Sequence, residues 1–168
     1  MDIKNHKGMS LIELIIYVGV MTIILLSVVV FLISSQKMGK KNQLINEVEF
    51  QGTEIIRAIT QTIRNSESIV APAVGSSSSA LSLNTDTAAD NPTVIDLSNG
   101  KLSIKEGTKA AINLNSDNIQ ISNLSFKNMA NAGTKSIIYI KFDASYVNPN
   151  SISELNYQKT FYGSAQER

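Results

Sequence analysis

Glu13 is the residue of this chain whose type and position most need a chemical explanation. It lies in the stretch KGMSLIELIIYVGVM, residues 7–21, at the start of an apolar segment long enough to cross a membrane. A carboxylate taken out of water is costly unless something compensates its charge. One explanation is local, because Ser10 and Glu13 match the S-x-x-E capping box of a helix N-terminus and the helix dipole favours an anion there. The other is a functional role for the charge.

Few other residues offer chemistry. The chain has no cysteine, so it has no disulfide framework, thiol nucleophile or cysteine-bound metal, and its single histidine is His6. Asp86 and Asp90 suggest calcium, but their spacing matches no EF-hand loop, and we interpret them as part of a polar loop. With 15 Lys and Arg against 14 Asp and Glu, the chain has no broad preference for nucleic acid. We therefore predict no metal, no cofactor and no nucleic-acid partner.

One very long helix is predicted at the N-terminus. Leu14–Ile33 is a 20-residue run without a charge, about 30 Å long as a helix, which is one hydrocarbon thickness. The run is longer than the apolar region of a secretory signal and is followed by a poor cleavage site, so it is typical of an anchor. Beyond it, apolar residues follow the period of an amphipathic helix, with Gly52 in the gap: Ile45, Val48, Ile55, Ile59 and Ile63. We expect one helix from Ser10 to about Glu67.

The remainder of the chain predicts antiparallel strands. Residues 71–80, APAVGSSSSA, form a connecting loop. In TVIDLSNGKLSI, residues 93–104, Asn99-Gly100 is a favoured type I′ turn that places Leu97 opposite Leu102 and Ile95 opposite Ile104. Further strands are expected at Ala80–Asn84, Ala111–Leu114, Asn118–Phe126, Ser136–Ala144 and Tyr157–Tyr162, with a turn at 148–150. The fold class is α+β, with the long helix packed on an antiparallel sheet.

The N-terminus resembles that of type IV prepilins and type II secretion pseudopilins. Four features coincide: a short basic leader, Gly8, the glutamate at position 13 and an uninterrupted apolar helix. In that family a prepilin peptidase cuts after the glycine and methylates the new N-terminus. The resemblance implies cleavage between Gly8 and Met9, methylation of Met9, and a role for Glu13 in subunit assembly, where it would meet the N-terminal amine of a neighbouring subunit.

The resemblance also implies a domain organisation and a location. Residues 1–8 would be the leader, 9–34 the transmembrane helix, 35–67 its amphipathic continuation, and 68–168 an extracytoplasmic β-rich domain. The chain would sit in the cytoplasmic (inner) membrane as a single-pass protein before joining a surface or periplasmic filament. Its implied partners are other pilin or pseudopilin subunits, the prepilin peptidase and the membrane.

Several departures point to a minor subunit. Met9 replaces the more usual phenylalanine, no proline interrupts Leu14–Ile33, and the cysteines frequent in major pilins are absent. Residues 47–72, with the loop and LSL that follow, look most like J-type minor pseudopilins and related minor pilins, and residues 157–168 are compatible with the final strand of that group. Such a subunit would start or cap a filament.

Two functions from different classes remain open on the sequence. The first is a filament subunit cleaved after Gly8. The second is a permanently anchored single-pass protein whose β-rich domain binds a surface ligand, in which Glu13 only caps the helix. We expect no enzyme, because the chain without its leader has neither His nor Cys, which excludes Ser-His-Asp, Cys-His and zinc chemistry.

Overall fold

The structure is a computed structural model of the 168-residue chain, and it describes residues 10–131, 133–148 and 155–168. It has one α-helix, α1, over Leu11–Arg64. The predicted helix end near Glu67 is wrong by about one turn, because Glu67 lies in a strand. The Ser66 hydroxyl donates to the Ile63 carbonyl at 2.7 Å, which satisfies one of the last helical acceptors.

The second half of α1 buries the stripe expected from the sequence. Its buried residues recur every three or four positions, namely Leu44, Val48, Gly52, Ile55, Ile59 and Ile63. Ile45 is only half-buried, and Leu44 closes the stripe instead. The chain divides into two units, one up to Asn42 and one over Gln43–Arg168, which we call the compact unit. Leu44 and Ile45 lie at the start of the compact unit.

Nine described strands follow the helix and form two antiparallel sheets rather than one. The first sheet has the order β1-β3-β4-β5-β6 and the second the order β2-β7-β8-β9. The strands are β1 Ser66–Ala71, β2 Ser77–Ser78, β3 Leu81–Thr85, β4 Thr93–Ser98, β5 Lys101–Glu106, β6 Ile112–Asn113, β7 Ile119–Asn128, β8 Ile137–Tyr146 and β9 Gln158–Gln166. One 3₁₀ turn, Ala88–Asp90, joins β3 to β4. The fold class is therefore α+β, as the sequence predicts.

The hairpin of β4 and β5 has the predicted register. Leu97 faces Leu102 and Ile95 faces Ile104. Asn99 and Gly100 have φ values of 50° and 77°, as a type I′ turn requires.

Other strands differ from expectation. β1 falls partly in the predicted helix, β2 lies within the predicted loop, β6 has two residues where four were expected, and β9 continues to Gln166 instead of ending at Tyr162. The predicted turn at 148–150 falls mostly outside the described residues.

The core of the compact unit lies between α1 and the sheets. The Phe161 ring of β9 stacks on Phe142 of β8 with 5.5 Å between ring centroids. The same ring packs directly on Gly52, where a Cβ atom would overlap it. Gly52 therefore fills the gap in the apolar stripe because it lets β9 approach the helix closely.

Polar contacts fix α1 laterally on this core. The Gln51 side-chain amide donates to the Ser116 hydroxyl at 2.7 Å and accepts from the Ser116 backbone N–H at 2.9 Å. On another side, Lys159 of β9 pairs with Glu49 at 2.8 Å, and the Tyr157 hydroxyl donates to the same carboxylate. These contacts, with the Lys159 hydrogen bond the largest cause, lower the pKa of Glu49.

Candidate assembly site

The first half of α1 is an apolar surface with nothing packed on it in the described chain. Every residue from Leu11 to Gln43 is exposed, and the large apolar side chains between Leu11 and Ile33 are 49–77% exposed. An apolar surface of this extent is found where a membrane or another protein covers it. Within the described residues, α1 is the one helix long and apolar enough to cross a membrane.

The two aliphatic hydroxyl groups of the uncharged run Leu14–Ile33 are satisfied within the helix. The hydroxyls of Thr22 and Ser27 donate to the carbonyl oxygens of Val18 and Ile23, at 2.8 and 2.9 Å. Each bond runs one turn back along the helix, so neither hydroxyl needs a partner outside it. This is the arrangement that apolar surroundings require of a hydroxyl.

Glu13 is the one formal charge between Ser10 and Gln36. It lies in the first turn of α1, where unpaired N–H groups and the helix dipole stabilise an anion. Its carboxylate accepts a long hydrogen bond, 3.4 Å, from the Tyr17 hydroxyl one turn further along the helix. Among the described residues, this single weak neutral donor leaves most of the acceptor capacity of the carboxylate unused. Glu13 can therefore accept from a further cation or donor beyond those residues.

The other predicted site residues are not placed by the structure. Gly8 and Met9, the expected cleavage and methylation positions, lie outside the described residues. Ser10, the expected helix cap, is the first described residue, and its carbonyl accepts the Leu14 N–H at 3.1 Å.

The chain matches no protein-family model, no curated protein and no solved structure with which it was compared. The candidate membrane span and its carboxylate are the strongest functional feature of the described residues.

The loop with Asp86 and Asp90 forms an open polar cleft of about 360 Å³. Its acidic groups are largely paired: Lys109 contacts Asp90 at 2.7 Å and Glu106 at 2.9 Å, and Arg168 contacts Asp86 at 3.3 Å. Asp90 and Glu106 raise the pKa of Lys109, with the hydrogen bond to Asp90 the largest cause. Among the described residues no three His, Cys, Asp or Glu side chains are grouped to hold a metal ion.

A buried carboxylate in the second sheet escaped the sequence reasoning. Asp143 of β8 is only 7% exposed, and it accepts from Asn123 at 2.7 Å and from Thr160 at 2.6 Å. These two bonds, that from Asn123 first, lower the pKa of Asp143. Because the two donors are neutral side chains on the neighbouring strands, Asp143 links β7, β8 and β9 and has a structural role.

Proposed function

We propose that this chain is a minor pilin or pseudopilin, a structural subunit of a type IV pilus-like or type II secretion filament. The observation that carries the proposal is the nature of α1. Its first half is an exposed apolar segment with one carboxylate near its start, and its second half is packed on a β-rich unit. A helix with these two surfaces suits a subunit that is held in a membrane and then joins a bundle of similar apolar helices from other subunits.

The position of Glu13 fits such a bundle. A carboxylate at mid-membrane costs about 2.5–3.5 kcal/mol on insertion scales, and less near a helix end. Cleavage after Gly8 would create a cationic amine at Met9, so that each subunit presents one anion and one cation within five residues. Pairing between staggered subunits would satisfy both charges. It would contribute more to fixing the register of the helices than to the stability of the bundle.

The proposal is tested first by intact-mass measurement of the protein from membranes, with and without an active prepilin peptidase. The expected product begins at Met9 and carries one added methyl group. Gly8→Val should block the cut. Gly19→Val is the control, because it makes the same change at a glycine of the uncharged run, away from the expected cut, with open space around it. A chain that keeps Met1 beside an active peptidase contradicts the proposal and leaves a permanently anchored protein.

The role of Glu13 is tested separately, by incorporation into filaments. Glu13→Gln removes the charge but not the shape, and we expect incorporation to fall at least about tenfold, since an unpaired buried charge on the partner is strongly destabilising. Cleavage and membrane insertion should be unchanged. Tyr17→Phe is the control, because it removes the described hydrogen bond of Glu13 and keeps the carboxylate. Equal losses in both variants would mean that Glu13 acts only within its own helix.

A further inference from the structure

Three of the four sheet edges in the described chain are short or covered. β2 and β6 have two residues each. The edge of β1 is covered by the C-terminal residues: the Ile69 N–H donates to the Glu167 carboxylate at 3.1 Å, and the Ser66 carbonyl accepts the Arg168 N–H at 3.2 Å. Proteins protect sheet edges in these ways because an open edge pairs with other chains.

The fourth edge, β9, is nine residues long and has no strand paired to its outer side among the described residues. Its inner side is fixed by the register with β8, in which the Glu167 N–H donates to the Ser136 carbonyl and the Tyr146 N–H to the Tyr157 carbonyl. In an antiparallel pair the direction of the backbone groups alternates. Hence every second residue of β9 directs its N–H and C=O away from β8: Gln158, Thr160, Tyr162, Ser164 and Gln166. None of these outward groups has a backbone or side-chain partner among residues 10–131, 133–148 and 155–168.

A groove on the flank of α1 adjoins this edge. It measures about 400 Å³ and is lined by residues of one helix face, among them Ile56, Arg57, Thr60 and Arg64. Ile56 also reaches β9, because its side chain lies 3.0 Å from the position that a Cβ on Gly163 would take. A strand added to β9 would run about 4.8 Å from it and would lie over this groove.

Two arginines line the groove. Arg57 is paired with Glu54 at 3.1 Å, with 71% of the Arg57 side chain exposed, whereas Arg64 forms no ion pair within the described chain. The two arginines are seven residues apart, about 10 Å along the helix. Two carboxylates four residues apart on a strand, about 13 Å, match that spacing once side-chain length is included.

We propose that the open edge of β9 binds an extended, acidic segment of a partner protein by strand addition. Backbone hydrogen bonds to the five outward residues would hold the segment, and its carboxylates would contact Arg57 and Arg64. A second copy of β9 fits less well, because edge-to-edge pairing would bring the same arginine-bearing flanks together. The site does not depend on the filament assignment, since a filament subunit and an anchored receptor both have the same edge.

The test uses the full chain in nonionic detergent micelles and a nine-residue probe peptide. The probe alternates valine and threonine, with glutamate in place of valine at positions 3 and 7; the control peptide has lysine at both positions. We expect the acidic probe to bind at least about tenfold tighter, as two charge-assisted contacts imply. Hydrogen exchange should slow at the amides of Thr160, Tyr162 and Ser164, whereas Phe161 and Ala165 are already protected by β8.

A pair of variants isolates the edge. Ser164→Pro removes one outward N–H and leaves the ladder to β8 intact, so we expect at least about tenfold weaker binding. Ser164→Ala keeps the N–H and should bind within twofold of the natural chain. If the proline variant does not fold, probe peptides N-methylated at alternate residues remove the reciprocal hydrogen bonds, which the probe donates to the outward carbonyl oxygens of β9, and should also bind at least about tenfold more weakly.

Two results would overturn the proposal. In the first, the acidic probe leaves exchange at Thr160, Tyr162 and Ser164 unchanged up to millimolar concentration. In the second, the chain associates with itself and Ser164→Pro abolishes this, which would assign the edge to a second copy. Neither result bears on cleavage after Gly8, so failure here is distinguishable from failure of the filament assignment.

Discussion

Gly52 is the residue at which α1 and β9 come closest. Replacing it by alanine would raise helix propensity by about 1 kcal/mol, but the added methyl group would overlap the Phe161 ring. We expect Gly52→Ala to lower the free energy of unfolding by roughly 1–3 kcal/mol, the usual range for overpacking. Chemical denaturation of the full chain in micelles measures this.

The control for this prediction is Gly39→Ala, also in α1, where nothing lies within 4 Å of an added Cβ. It should be neutral or slightly stabilising. The double variant Gly52→Ala with Phe161→Leu should recover part of the loss, because the smaller side chain makes room. If the two single effects simply add, the ring contact is not the cause.

Asp143 gives a pH dependence with a definite sign. Hydrogen bonds from Asn123 and Thr160 lower its pKa in the folded chain, so the unfolded chain binds more protons near pH 4. The stabilisation is therefore present above the unfolded pKa of about 3.9 and is lost as the pH falls through the folded pKa. We expect Asp143→Asn to cost roughly 1.5–3 kcal/mol at pH 7 and much less at pH 2, measured by denaturation at both pH values.

An exposed aspartate on β4 supplies the comparison for Asp143. Asp96→Asn should change stability by no more than about 0.5 kcal/mol at either pH. If Asp143→Asn shows the same small effect, the buried carboxylate does not hold the three strands together. A loss that persists unchanged at low pH would instead point to packing rather than charge.

At the scale of elements, the two sheets are joined by the end of the chain. The Glu167 carboxylate accepts from the Ser136 N–H at 2.6 Å and from the Ile69 N–H at 3.1 Å, and so bridges β1 to the start of β8. Glu167→Gln would set an NH₂ group against one of these donors, which costs about 1–3 kcal/mol. We expect faster hydrogen exchange at Ile69 and Ser136.

The matched change is Arg168→Ala, which removes an exposed ion pair with Asp86. Surface pairs contribute about 0–1 kcal/mol, so exchange at Ile69 and Ser136 should change little. Equal effects of the two variants would mean that the chain end matters as a whole and that the Glu167 carboxylate has no particular role.

Elements set by local chemistry could be predicted from the sequence, and elements set by distant contacts could not. The β4–β5 hairpin follows from Asn99-Gly100 and its flanking alternation. β1 shows no clear alternation and exists through pairing with β3. The sequence does not indicate the end of β9, because the small residues Gly163 and Ala165 give only a weak apolar alternation there.

The same limit applies to the sites. Glu13 can be recognised from the sequence, because a charged residue next to an apolar run is visible without knowledge of its contacts in the fold. Asp143 is not, since its donors lie 20 and 17 residues away along the chain. The outer edge of β9 cannot be predicted from the sequence either, because it depends on the order of the strands in the sheet.

At the scale of the molecule, the compact unit begins at Gln43, inside the helix rather than after it. Removing residues 1–42 should therefore leave a water-soluble, folded monomer, because every buried residue of α1 is retained and Glu47 stabilises the new helix start. A fragment starting at Glu54 should fail to fold, since losing Leu44 and Val48 costs several kcal/mol out of a typical total of 5–15. Circular dichroism and gel filtration without detergent compare the two fragments, and aggregation of 43–168 would show that its core depends on the apolar segment.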